Sequence, residues 1–143
     1  MLDQTHINRL KWIYRHNACN QYYTTEIDIR EREAELHLPI RPEYLHSGGV
    51  IHGSVYFKML DDAATFAVSS VVKDFGIVTA SFNIYFTRPV SEGTVHTIGR
   101  VVHESRRLFI AEAEVTDDDG RVLARGSGTF MRSTIPLPEF KPE

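Results

Sequence analysis

Near the start of the chain apolar residues return every three to four positions, at Ile7, Leu10, Ile13 and Tyr14, which predicts a short amphipathic lead-in helix within residues 1–20. The pattern breaks over Asn17 to Tyr23 and then changes period. From Thr25 apolar and polar side chains alternate: Ile27 and Ile29, then Ala34, Leu36, Leu38 and Ile40, with Glu33, Glu35, His37 and Pro39 between. Period two predicts two strands joined near residues 30–32, the second held to an edge or its own end by Pro39, which has no N–H for a ladder. Residues 41–53 carry Pro42, Gly48, Gly49 and Gly53 and follow neither period. Gly53 to Val72 then runs without proline or internal glycine and is apolar over most of a helical circumference, the mark of one long buried helix. Four strand-like runs follow, at Val78 to Phe86, Thr94 to His103, Leu108 to Thr116 and Val122 to Met131. The turn signals Arg88-Pro89-Val90-Ser91-Glu92-Gly93 and Asp117-Asp118-Asp119-Gly120 separate them. Pro136, Pro138 and Pro142 predict a loose tail over 133–143.

This order is α+β, and a sheet has to cover the apolar surface of the long helix. The simplest architecture is one antiparallel β-sheet wrapped around a long central helix. With 143 residues, no internal repeat and no linker, the chain is expected to form a single domain, 1–143. A formal net charge of -3 gives no reason to expect a nucleic-acid partner or an anionic membrane surface. Cys19 is the only cysteine, which rules out an internal disulfide and a thiol zinc site. No secretory-type apolar run is present, and none approaches the roughly 20 residues needed for a membrane span, so a cytoplasmic location is expected. The histidines lack metal-ligand spacing, Ser69-Ser70 lacks nucleophile-elbow glycines, and no phosphate-binding loop or dinucleotide fingerprint occurs.

Candidate chemistry gathers on the long helix and the loop before it. At 100° per residue Lys58, Asp62, Thr65 and Ser69 form one stripe, expected to face solvent or an interface, with Asp62 paired to Lys58 as a surface carboxylate. Asp61 lies off that stripe beside Phe57, Ala64 and Val68. In mid-helix among apolar neighbours a carboxylate gains nothing from the helix dipole and loses hydration. Two readings follow: a structural polar network at a subunit contact, or a base or nucleophile tuned by its surroundings. The loop His46-Ser47-Gly48-Gly49-Val50-Ile51-His52-Gly53-Ser54 leads directly into the helix. Its glycines allow close backbone approach, and a helix N-terminus offers unpaired N–H groups, the parts of an oxyanion hole. Taken alone, the same residues also describe a tight loop with ordinary loop histidines.

His52-Gly53-Ser54 followed by Leu60-Asp61 resembles the His-Gly-Gly…Leu-x-Asp signature of hotdog-fold thioesterases of the phenylacetate-pathway (PaaI-like) type, and Gly49 matches a usual glycine of that family. Residues 78–89 resemble the strand after its central helix, and Gly126-Ser127-Gly128-Thr129-Phe130 its last strand, so the likeness covers roughly Ile27 to Met131. The resemblance implies a hotdog fold and an acyl-CoA thioesterase that needs no metal or redox cofactor. It implies that Asp61 attacks the thioester carbonyl or activates a water, that the Gly53 N–H binds the carbonyl oxygen with His52 nearby, and that Thr79 helps hold the water. It also implies a homo-oligomer, dimer or tetramer, with each site at a subunit interface. Two positions depart from the family: His46 stands where Asn is common, and Ser54 replaces the second signature glycine.

Expected substrate contacts are weaker. Gly49, Ser54, Phe57 and Asn83 are assigned to substrate binding, at its coenzyme A or acyl part; Phe57, Phe66, Phe82 and Phe86 are candidates for lining an acyl pocket, although aromatic residues at these spacings are more often simple core. Arg88, Arg106 and Arg107 are candidates for coenzyme A phosphates because guanidinium forks suit phosphate, against the plain alternative of surface charge. Two other functions fit the same features: a hotdog hydratase or dehydratase acting on acyl thioesters, and a non-catalytic acyl-CoA-binding scaffold, which His46 in place of Asn favours most.

Overall fold

The computed structural model describes residues 3–141. Helix α1 spans Gln4–His16, capped by the Asp3 side chain accepting from the His6 N–H, and a short 3-10 turn follows at Ala18–Tyr22. Strands β1 (Glu26–Arg30) and β2 (Glu33–Pro39) form the expected hairpin, turning at Arg32 with φ 66°. Helix α2 (Gly53–Ser69) precedes β3 (Phe75–Phe86), β4 (Thr94–Glu104), β5 (Leu108–Thr116) and β6 (Val122–Pro136). α2 ends three residues short of the predicted Val72, because Ser70 closes it: its hydroxyl donates to the Ala67 carbonyl and accepts the Arg32 N–H from the β1–β2 turn.

All six strands lie in one antiparallel sheet, ordered β1-β2-β4-β5-β6-β3. α2 packs across its inner face, where Leu36, Leu38, Val95, Phe109, Ala111 and Val115 are fully buried. This is the sheet-around-helix arrangement the sequence predicts. The helix comes tight against the sheet at Gly99 of β4, where a Cβ would lie 2.4 Å from the Ala63 carbonyl carbon of α2. The α2 surface there is Ala63, Ala64 and Ala67, all fully buried, so small residues on both elements set the spacing. Gly99→Val is therefore expected to lose about 3 kcal/mol, at the upper end of overpacking costs, because the clash is with backbone that cannot rotate away. Chemical denaturation reads the loss as a lowered midpoint.

α1 changes the expected position of Asp62. It lies over the Lys58–Asp62 stripe, so Asp62 is 8% exposed rather than solvated. Tyr14 Oη–H donates to Asp62 Oδ2 at 3.1 Å, and Lys58 Nζ sits 2.9 Å from the same oxygen and also donates to Asn20. Buried His6 donates from Nε2 to the Ser69 carbonyl at 2.7 Å, fixing the other end of α1. The Lys58 pairing holds as expected, but the stripe faces α1. Periodicity showed that α1 had an apolar face; it carried no information about which surface that face would cover.

The tail expectation is also corrected. β6 continues to Pro136, the Leu137 N–H donates to the Asp74 carbonyl, and Arg9 donates to the carbonyls of Leu137 and Pro138. Phe140 packs edge-on against Trp12. Pro142 lies outside the described residues. Prolines at 136 and 138 are tolerated because this stretch receives side-chain and edge bonds at its carbonyls, which proline retains.

Strand β3 sits at one edge of the sheet. It is 12 residues long and leaves Phe75, Val78, Tyr85 and Phe86 between 45% and 62% exposed. Such an edge has unpaired backbone groups along its length and is a template for another strand.

Candidate active site

Gly53, Phe57 and Asp61 stand four residues apart on α2 and share one face. That face meets β3 in three successive contacts. A Cβ on Gly53 would lie 3.2 Å from the Phe86 ring, Phe57 meets Phe82 edge-to-face at 5.9 Å, and Thr79 Oγ1–H donates to Asp61 Oδ1 at 2.8 Å. Simple alternation would put Thr79 on the opposite face from Phe82 and Phe86. A bulge between Thr79 and Ser81 inverts the parity, turning Thr79 inward while Ser81 points outward to bond Thr129 at 2.6 Å. A bulge is thus what aims Thr79 at the carboxylate.

Asp61 is half-buried, and burial raises its pKa above the usual carboxylate value. The Thr79 hydrogen bond and the Lys58 charge oppose that rise. Removing the Thr79 donor destabilises the ionised form only, so Thr79→Val is expected to move the acid limb of a hydrolysis pH profile to higher pH. A limb that stays in place or moves to lower pH rejects this role.

The loop supplies donors on the same helix. His52 caps α2: its Nδ1 accepts the Ser54 N–H at 3.0 Å, and the Ser54 Oγ lies 2.7 Å away. His46 Nδ1 likewise accepts the Gly48 N–H at 2.8 Å. An Nδ1 that accepts from a backbone N–H leaves the neutral ring's proton on Nε2, so both imidazoles present an N–H donor. Their centroids are 6.3 Å apart. The exchange of Asn for His46 therefore keeps a donor, because the loop itself selects the tautomer. Gly49, at φ 80°, lets the turn close with its N–H on the His46 carbonyl. In the first turn of α2 the Ser54 N–H goes to His52 Nδ1 and the Val55 N–H to the His52 carbonyl. The Gly53 N–H has no partner among the described residues.

Other expected residues fall elsewhere. Asn83 and Tyr85 point to the outer face of the sheet, where with Arg100 and Arg125 they line a cavity of about 370 Å³ on the side away from Asp61. Asn83, expected to bind substrate, therefore stands on the face away from Asp61; its parity follows Tyr85, not Phe82. Arg88 follows β3 at its Gly53 end, its carbonyl accepting the Tyr56 hydroxyl at 2.9 Å. Arg106 and Arg107 occupy the β4–β5 turn at the Thr79 end, where the Arg106 carbonyl accepts from Arg132 Nε at 2.9 Å. A single subunit therefore does not cluster its three arginines. In the sequence Thr65 is placed only on the polar stripe, with no functional role given to it. It lies one turn beyond Asp61, and its buried Oγ1 has no hydrogen-bond partner among the described residues. The i, i+4 relation to Asp61 was the available signal.

Among the described residues no group of three or more His, Cys, Asp or Glu is arranged to hold a metal ion, and no helix is long and apolar enough to cross a membrane. Residues 48–124, just over half the chain, match the family described as the thioesterase superfamily. The chain is 34% identical over 97 residues to a Mycobacterium tuberculosis protein provisionally named an esterase, covering 65% of this chain and 69% of the relative. A solved conserved protein of Pseudomonas aeruginosa is 32% identical, with a TM-score of 0.78, covering 82% of this chain and 94% of its own. The PaaI protein of the Escherichia coli phenylacetic acid degradation operon shares the fold at a TM-score of 0.86 and 19% identity, over 96% of this chain and all of its own.

Proposed function

Since this chain belongs to the thioesterase superfamily and has the hotdog fold, we propose that it hydrolyses an acyl-CoA thioester to a free acid and coenzyme A, in sites shared between two copies of itself. The observation that carries this reading is the spacing along α2. A desolvated carboxylate at Asp61 and a free N–H at Gly53 lie on one face, eight residues apart. At 1.5 Å per residue they are separated by about 12 Å along the helix axis. A carbonyl carbon and its oxygen are about 1.2 Å apart, and each partner has to come within about 3 Å. One helix cannot serve one carbonyl at both ends. A second copy with its helix antiparallel brings its Gly53 beside Asp61 and completes two equivalent sites, and the exposed edge of β3 offers the surface for that pairing.

In this site Asp61 takes a proton from water that Thr79 and Thr65 help orient, and the resulting hydroxide attacks the thioester carbon. The oxyanion is held by the Gly53 N–H and flanked by the Nε2–H groups of His46 and His52 of the other copy. The C–S bond then breaks, and the departing thiolate receives the proton from Asp61. The alternative route, direct attack by Asp61 to give a mixed anhydride that water opens, uses the same carboxylate. Arg106 and Arg107 come with Asp61, and Arg88 with Gly53 of the other copy, to meet coenzyme A phosphates. No metal or redox step is required.

A panel of acyl-CoA thioesters with released thiol as the readout tests the reading. Thiol release that depends on Asp61 supports it. Ligand binding without turnover favours a scaffold, and hydration of an enoyl-CoA without thiol release favours a hydratase; either result overturns it.

A further inference from the structure

We infer that Phe57 lies on the two-fold axis of the dimer and, with its counterpart, forms the wall between the two acyl sites, limiting the size of acyl group each accepts. The inference rests on the shared-site reading above and goes beyond it. If Asp61 of one copy meets Gly53 of the other, the two-fold also sets Gly53 against Asp61, and facing residues across antiparallel helices have constant summed position. The residue midway between 53 and 61 then faces itself. That residue is Phe57.

Its setting fits the role. Phe57 is 43% exposed in the single chain, although it belongs to the most apolar helix of the fold. Its ring is braced edge-to-face on Phe82, which in turn covers the glycines of β6: a Cβ on Gly126 or Gly128 would come within 2.5 Å of the Phe82 ring. Phe82 also packs edge-on to buried Phe130 at 6.3 Å. The Phe57 ring is therefore held from behind and cannot retreat into the core, yet one face stays open one turn from Asp61. Two such rings at the axis block each cleft on its inner side, so the acyl group has to run outward or stay short.

Two measurements judge this. First, in a Cys19→Ser background, Phe57→Cys is expected to form a disulfide-linked dimer on mild oxidation, because facing Cα atoms of helices packed about 9–10 Å apart lie about 4.4–5.4 Å from each other, within disulfide reach. Ser54→Cys, displaced along the axis, is the control and should link far less. Equal linkage at both positions, or none at 57, overturns the placement. Second, the affinities of non-hydrolysable thioether analogues carrying a four-carbon and a ten-carbon chain are compared in wild type and Phe57→Ala. The ratio is expected to shift about tenfold toward the longer chain, in line with what hydrophobic pockets discriminate. An unchanged ratio overturns the wall. If the Phe57→Cys variant cross-links but the wild type binds neither analogue, the acyl-CoA reading is refuted while Phe57 stays on the axis, so the two failures are distinct.

Discussion

An Asp61→Asn protein is expected to release thiol from its best acyl-CoA substrate at least about a hundredfold more slowly than wild type, with substrate affinity changed little. Loss of a positioned general base typically costs two to four powers of ten, and loss of a nucleophile no less. The asparagine is nearly the same size and its Oδ1 still accepts from Thr79, so packing against Phe57 and Ala64 is kept. The same variant should be more stable at neutral pH. Burial raises the Asp61 pKa above its unfolded value, so the folded state binds the proton more tightly. Between those two values the native protein holds more protons than the unfolded chain, and stability falls as pH rises through that window. The cost is complete above it. Asparagine carries no such cost, so a gain of about 1 kcal/mol, the usual size for relieving a strained functional group, should appear near pH 7 and vanish at pH 3. Thermal unfolding at both pH values reads it. A variant that hydrolyses normally removes Asp61 from the chemistry, and one that melts lower at pH 7 removes the desolvation argument.

Gly53→Pro is expected to lower kcat by about a hundred- to a thousandfold, the range seen when one oxyanion donor is removed. Proline suits this position: it is the first helical residue, where a fixed φ is tolerated, and His52 before it already has the extended backbone that a following proline needs, at φ -71° and ψ 141°. The Phe86 ring has to give a few tenths of an ångström for any Cβ at 53, so Gly53→Ala is the matched control. Alanine adds the same Cβ but keeps the N–H, and should retain most of the activity. The decisive form of the experiment mixes the Gly53→Pro and Asp61→Asn proteins after dissociation. In the mixed dimer one site carries both defects and the other carries neither. Statistical reassociation makes half the dimers mixed, and total activity should recover to about a quarter of wild type. Mixtures that stay as inactive as their parents would mean that each site lies within one chain.

The expected elements were legible because their periods are local. Ile27 to Ile40 and Leu108 to Thr116 alternate, and Gly53 onward is apolar on nearly every side, so strands and the central helix follow from side-chain spacing. The bulge at residues 79–81 was not legible: Val78, Ala80, Phe82, Ile84 and Phe86 alternate without a break with Thr79, Ser81, Asn83 and Tyr85, so period two runs straight through it and nothing marks an extra residue. Thr79 entered through likeness to other chains, and the bulge is why it reaches Asp61 at all. Asn83 shows the converse, a residue of the same strand assigned to substrate binding and placed on the opposite face by strand parity.

The sequence by itself determined the element order, the α+β class, the placement of Asp61 off the polar stripe of a buried helix, and the glycine-rich loop at that helix's start. Each depends on residues within a few turns of one another, where geometry is set by bonds and dihedrals. Only the tertiary structure decided that α1 covers Asp62, that 133–140 is held rather than loose, and that Gly48 and Ser54 select the tautomers of His46 and His52. It alone also left β3 as an open edge. These outcomes depend on which surfaces meet, and tertiary contact joins residues as far as 129 positions apart, as in the Arg9 bond to Pro138. A chain pattern shows that a face must be covered. Packing decides by what.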